Sequence, residues 1–470
     1  MATLVFDKFY RTLAPTRIQQ NSYHVEGQSL NSTPGLLRVS LALATMLFSH
    51  LIYAEQIQQT LPTKSSEQPF FSSQQQAEER SQAYDNAIDS LDIKEDDCST
   101  EKACDELGKA ITDLEYAKRN HIDKNGLAMF DILGGPAFTP ENGMMMALGG
   151  LYSFKTEREQ AQLQRSSVSL FGIVNKGDGD VGYSIRSKQN LFFDNDDIRY
   201  NGLFVLADQS ENFWGVGYDA GKKQAASDDT LLNKTSLSYH ANLDFKSDYG
   251  FYFGPALRLN YFEPDQASLP QSAIDDENFQ QYKDQPLSIG LGFSISYDSR
   301  DVAVNAWKGQ FLNLEYINYN PSFGSDNRYQ KALIDHRYYL PLGLGKVLAF
   351  YNAYQWSDGD VPYYDLPTLG GQASLRGLYQ GRYRDSEAIE HTIEYRHTFL
   401  RHNGELSAHG MTLWAGVGSI AGTDTHLYQK FLYSYGVGYR YELQPRMNVR
   451  VDLGFSDGDS GFYLTFTEAF

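Results

Sequence analysis

Cysteine is nearly absent from these 470 residues: Cys98 and Cys104 are the only two, and they lie close together in an acidic segment. A structural zinc site takes about four ligands, so this pair is too sparse for one. It has two readings, a small disulfide loop in an oxidising compartment or two free thiols. Basic residues are in deficit, 40 against 59 acidic, for a formal charge of −19. With no basic stripe interleaved with aromatics, nucleic acid is set aside as a partner. Long apolar runs are missing as well. No stretch of about eighteen apolar residues occurs beyond residues 36–54, which excludes membrane-spanning helices.

What the chain has instead is aromatics and glycine: 33 Tyr, 28 Phe and 40 Gly, at a mean hydropathy of −0.47. The aromatics sit in short alternating runs, the distributed signature of a transmembrane β-barrel. In 431–443, Phe431, Tyr433, Tyr435, Val437, Tyr439, Tyr441 and Leu443 share one face, while Ser434, Gly436, Gly438, Arg440 and Glu442 share the other. One face suits lipid and the other water. The same split recurs in 287–298 and 447–455. A soluble sandwich also alternates, but its outer face is not so consistently apolar.

In chain order, residues 36–54 read as a secretory signal peptide cleaved after Ala54. The long stretch ahead of it places the expected start codon downstream of Met1; the other reading is a short buried helix. Residues 55–125 are polar, with apolar residues at helical spacing (Ile88, Leu91; Leu107, Ile111, Leu114). They are expected to be a partly disordered periplasmic segment with one or two short helices. Residues 126–470 are expected to form the barrel. Strands are placed at 143–155, 165–175, 181–193, 198–207, 212–219, 232–246, 250–264, 287–298, 309–319, 329–341, 347–357, 387–400, 411–421, 431–443, 446–456 and 461–470. That is about sixteen, an even number, as a closed single-chain bacterial barrel requires. Short connections at 247–249, 343–345 and 444–446 alternate with long ones at 265–286 and 357–386, as periplasmic turns alternate with outer loops; 299–308 and 401–410 are longer than this rule expects.

The final strand carries Phe462, Leu464, Phe466 and Phe470 on one face, and resembles the C-terminal signal by which such barrels are handed to their assembly machinery. Glu468 interrupts that face near the membrane edge, where a charge costs little.

One long loop, 368–385, concentrates Gly370, Gly371, Gly377 and Gly381 with Arg376, Arg382 and Arg384. Its segment Leu375-Arg376-Gly377-Leu378-Tyr379, after Gly370-Gly371, resembles the Arg-Gly-Tyr or Arg-Gly-Phe loop of the superfamily that includes BamA, TamA and the two-partner secretion translocators, the bacterial surface antigen barrels. Further agreement comes from 139–143, 298–301 with 308–309, 451–454 and Phe470, so the resemblance covers roughly 133–470. It implies a loop folded into the lumen, whose arginine, here Arg376, meets acidic residues of the wall. Alternation puts Ala388, Glu390, Thr392, Glu394 and Arg396 on the lumen side, and Glu394 matches the family's acidic partner. The family's second acid aligns with Gly416. Either Glu390 or Asp452 takes its place, or the loop is held more loosely. An arginine withdrawn from water needs such partners. The family's periplasmic POTRA modules, βααββ units that bind clients by strand addition, have no counterpart that can be seen here, which points to a short, module-free branch.

Ser238, His240 and Asn242 share a strand face, but that face is the lumen, and no catalytic role is expected. The acidic turns 178–180, 194–197 and 457–459 lack full Ca²⁺ ligand spacing, so no metal or cofactor is expected. The expectation is an all-β outer-membrane barrel with a lumen-inserted loop, acting in outer-membrane protein assembly or translocation. A passive or plugged pore is the alternative, and a barrel lipid hydrolase a remote one. Its partners are outer-membrane lipids and lipopolysaccharide, the barrel assembly machinery for its own insertion, and an unknown client. The seam is expected between 143–155 and 461–470.

Overall fold

The computed structural model describes residues 69–96, 100–160, 163–177, 179–223, 226–402, 404–444 and 446–470. The expected signal peptide and start site lie outside them. The polar segment contains two helices, α1 (Gln74–Asp96) and α2 (Glu101–Lys124). They are longer than the short helices expected, because Gln, Glu, Lys and Ala are strong helix formers and pair at i,i+4, as Gln74 does with Glu78 at 2.7 Å. No strand precedes Met129 among the described residues. Among the described residues, 85–111 belong to one compact unit, and 69–84 with 112–470 belong to a second.

The second unit contains the barrel. In chain order its strands are β1 (Met129–Thr139), β2 (Gly143–Phe154), β3 (Ser166–Lys176), β4 (Val181–Phe193), β5 (Ile198–Asn212), β6 (Leu231–Lys246), β7 (Tyr252–Pro264), β8 (Leu287–Asp298), β9 (Gly309–Tyr319), β10 (Tyr329–Gly343) and β11 (Lys346–Gly359). A small ribbon follows, β12 (Thr368–Leu369) with β13 (Tyr383–Arg384). The barrel then resumes with β14 (Glu387–Leu400), β15 (Leu406–Ala421), β16 (Leu432–Gln444), β17 (Met447–Ser456) and β18 (Asp459–Phe466). Among the described residues, sixteen antiparallel strands close into one barrel, with β11 next to β14 and β18 next to β1. The period-2 alternation decides the faces: Tyr433 and Tyr435 of β16 are exposed outward, while Ser434 and Arg440 are buried inside. No helix among the described residues is long and apolar enough to cross a membrane.

The strand count was anticipated, but one strand was misplaced. Residues 212–219 are not a strand; β5 runs unbroken to Asn212 and the chain then enters a loop. The strand that was missed is β1, whose Gly134-Gly135-Pro136 interrupts the β pattern. Proline donates no ladder hydrogen bond and is tolerated on weakly paired strands. β1 is such a strand: it pairs β2 along its length, from Met129↔Ser153 to Thr139↔Gly143, but its register with β18 is the single pair Phe138↔Leu464. The seam is therefore β1 against β18, and 143–155 is the second strand. Residues 140–142 form the β1–β2 turn.

The rim bearing the long connections is capped. Phe213, Leu232, Phe262, Phe279 and Tyr363 pack into one buried aromatic cluster there, drawn from three loops and two strand ends. Tyr363 lies 4.4 Å, centroid to centroid, from Phe279. This cap anchors the chain on which the site is built.

Candidate functional site

The β11–β14 connection leaves the barrel wall, pairs with itself through Thr368↔Arg384 and Leu369↔Tyr383, and turns back on glycines. Gly370, Gly371, Gly377 and Gly381 all have positive φ, between 73° and 109°, a region closed to most L-residues. Leu369, Leu375 and Leu378 of the loop pack against Ala388, Ile420 and Leu432 of the wall. Burial of this apolar set drives the loop inward and carries Arg376 with it.

Arg376 is fully buried. Its Nη1 donates to Asp452 Oδ2 at 2.7 Å, its Nη2 donates to Glu394 Oε2, and its guanidinium lies 3.7 Å above the Trp414 ring centroid. The backbone is held as firmly: Ser434 Oγ donates to Arg376 O at 2.5 Å, and Gly377 N donates to Tyr463 Oη at 2.9 Å. Both acids are shared. Arg396 Nε donates to Glu394 Oε1 at 2.7 Å, and Arg440 Nη1 to Asp452 Oδ1 at 2.6 Å. Arg450 Nε lies 3.5 Å from Asp452 Oδ2 and donates to Thr465 Oγ1. Ion pairs taken from water are costly unless well paired; five strands of the wall converge on Arg376, while Arg376 Nε, Arg396 Nη1, Arg440 Nη2 and Arg450 Nη1 are buried without a hydrogen-bond partner among the described residues.

Glu390 is not part of this network; it accepts a hydrogen bond from Ser374 Oγ. Asp452 supplies the second acid in place of Gly416. A Cβ at Gly416 would lie 2.8 Å from Leu375 Cδ2, so glycine there makes room for the loop. Tyr379 stacks edge-on against Trp214 at 5.8 Å. Cys104 is disulfide-bonded, and its expected partner Cys98 lies outside the described residues.

The C-terminus differs from expectation. Phe462 and Phe466 face outward, but Thr467 adopts φ +67° and turns the chain into the lumen. Phe470 is buried against Ala306, Tyr339, Val347 and Ala349, and is not on the outward face. Glu468 is not at the membrane edge: it accepts from Arg440 Nε at 2.8 Å and Asn448 Nδ2 at 2.6 Å. Arg396 Nη2 donates to Phe470 O at 2.9 Å. Arg396 and Arg440 have donors beyond those they give to Glu394 and Asp452, and these draw the tail inward. Alternation had placed Arg440 and Arg450 inward, but Trp414, Glu468 and Tyr463 carried no local sign of joining Arg376.

The Omp85 superfamily domain matches residues 170–470, well over half the chain. The chain belongs to the Omp85 superfamily. Among solved structures, BamA from Haemophilus ducreyi lacking POTRA domains 1-3 is 14% identical with a TM-score of 0.51, over 72% of this chain and 70% of that one. CdiB from Acinetobacter baumannii is 10% identical with a TM-score of 0.45, over 76% of this chain and 68% of that one. No curated protein matches. This Omp85 protein is an outer-membrane β-barrel, and its short-turn rim is the periplasmic one by the usual build of such barrels. Its Ser238, His240 and Asn242 line the lumen, where His240 bonds Asn260 Oδ1 at 3.0 Å.

Proposed function

We propose that this Omp85 barrel inserts or translocates polypeptides at the outer membrane, opening along β1 and β18 while the Arg376 loop holds the adjoining wall, β14 to β18, together. The observation that carries the reading is the contrast between the single β1–β18 pair, Phe138↔Leu464, and the buried ionic network that ties β14 through β18 to the loop. One edge is built to separate and the neighbouring wall to stay intact. Strand addition at an opened edge gives a client main-chain hydrogen bonds without sequence specificity. The reading includes no chemical step.

The test is a disulfide across the seam, Phe138→Cys with Leu464→Cys. In cells that depend on this protein, oxidising conditions are expected to stop growth and deplete outer-membrane or secreted clients, and a reductant to restore both. Normal growth and client levels with the seam fully crosslinked would overturn the reading.

A further inference from the structure

The lumen wall made by β1 to β5 differs from the rest of the lumen. Met144, Met146 and Leu148 on β2, Leu170 and Val174 on β3, and Val181, Tyr183 and Ile185 on β4 are exposed outward. The alternate residues therefore face the lumen. Two transverse rows can be followed through the register. The first runs Leu133↔Gly149, Gly149↔Phe171, Phe171↔Arg186, Arg186↔Val205 and Val205↔Ser238. The second runs Leu151↔Ser169, Ser169↔Lys188, Lys188↔Leu203 and Leu203↔His240. The first is apolar from Leu133 to Phe171; the second begins at Asp131, which pairs with Leu151, and passes through Ser169; each meets a cation at β4 and a polar residue at β6. A sheet apolar on both faces ordinarily has cover on both. Lipid covers one face of this one.

Arg186 and Lys188 interrupt the apolar wall. Both face inward and yet are exposed, so the lumen in front of them holds solvent. Neither has an ion-pair or side-chain hydrogen-bond partner among the described residues. The charges acting on Lys188 are Arg300, Arg186 and Arg337. The acids nearest those arginines are committed, Asp298 to Arg300 at 2.7 Å and Asp335 to Arg337 at 2.6 Å. Asp131, opposite Leu151 at the seam end of the second row, acts on Arg165. Arg258, Arg337, Arg396 and Arg440 of the lumen face have carboxylate partners; the two cations on β4 are left facing solvent, beside Phe171, Val205 and Leu203. Unpaired cations inside a membrane protein mark ligand paths.

We propose that this wall binds an anionic amphiphile. Arg186 and Lys188 hold its carboxylate or phosphate, and its hydrocarbon chain lies along Phe171, Leu133 and Leu151 toward the seam. A bare inorganic anion leaves the apolar rows uncovered, and a neutral lipid leaves the two cations unpaired. The chain end of such a ligand points at the β1–β18 seam, the place where the lumen wall adjoins bilayer hydrocarbon, so an acyl chain has an entry that crosses no polar rim.

The test uses the purified full-length chain in a non-ionic detergent with 11-(dansylamino)undecanoic acid as fluorescent probe and its methyl ester as the neutral control. The carboxylate is expected to bind and the ester to bind at least tenfold more weakly. Arg186→Gln with Lys188→Gln is expected to weaken the carboxylate at least tenfold, and Arg186→Lys to retain it. Heat-modifiable gel mobility shows that each variant barrel is folded. Absence of binding to the native chain, equal binding of the ester, or a smaller loss in the folded double variant would each overturn the proposal. Displacement by palmitate alone assigns the site to a single-chain carboxylate, and displacement by phosphatidylglycerol alone assigns it to a phospholipid. Neither assignment depends on the seam-crosslinking result.

Discussion

Gly377 at the loop tip and Gly454 in β17 meet backbone to backbone: a Cβ on Gly377 would lie 2.6 Å from Gly454 C, and one on Gly454 would lie 2.5 Å from Arg376 O. Neither contact involves a flexible side chain that can swing away. Gly377 also has φ +103°, so a side chain there is strained twice. Gly454→Ala, which leaves the loop sequence intact, is expected to lift the tip from the wall. Limited proteolysis in the 368–385 loop should become faster, while the barrel still shows heat-modifiable mobility. An unchanged cleavage rate would contradict this packing.

Removing Arg376 leaves Glu394 and Asp452 buried with one cation fewer. Arg376→Ala is expected to cost about 3–5 kcal/mol, the range for breaking a buried pair from one side. Arg376→Lys is expected to recover little of it, since one ammonium cannot reach two carboxylates while stacking on Trp414 as a planar fork does. The unfolding midpoint in urea, read by gel mobility, measures both. A combined Arg376→Met, Glu394→Gln, Asp452→Asn variant should be less damaged than Arg376→Ala.

Phe470 fills a pocket of Tyr339, Val347 and Ala349 inside the barrel. Phe470→Ala is expected to destabilise the folded protein by about 3–5 kcal/mol, as large-to-small core changes do. A purely outward assembly signal predicts a different result: slower insertion in cells with unchanged stability of whatever protein does fold. Comparing unfolding midpoints of the purified variant and the native protein separates the two.

His121 of α2 donates from Nε2 to Ala77 O at 2.9 Å and lies 3.2 Å, at Nδ1, from Asn125 Nδ2. Burial pushes its pKa below the usual 6.5; the Arg80 charge acts in the same direction and the Ala77 bond against it. The unfolded imidazole then binds a proton at a pH where the folded one does not. This contribution to stability is full above about pH 6.5 and is lost as pH falls toward the lowered value. Hydrogen-exchange protection factors, each taken against the intrinsic rate at its pH, should fall in the first half of α1 and the end of α2 between pH 7.5 and 5.5. His121→Leu should abolish that pH dependence, whatever it does to the baseline.

Much of the barrel was legible because alternation is a local property. The faces of 431–443 or 387–400 follow from a period of two, and the wall positions of Glu394, Arg396, Arg440 and Arg450 follow with them. β1 was not legible, since Gly134-Gly135-Pro136 looks like a loop until the sheet closes around it and β2 holds it in register. Residues 212–219 failed for the opposite reason: a run of suitable residues has no strand partner there, and its Phe213 and Trp214 are buried at the cap instead.

The sequence by itself determined the barrel architecture, the lumen side of the strands with clear alternation, and a glycine-rich loop with an arginine that needed acids. Only the tertiary structure decided which acids these were, Asp452 with Glu394 and not Glu390, because the choice depends on how far Leu375 sinks toward Gly416. It also decided that Glu468 and Phe470 turn inward, since their partners Arg396, Arg440 and Tyr339 come from strands far away in the chain. A repeating pattern fixes what a residue faces, but charge pairing inside a closed barrel depends on which strands lie across from one another.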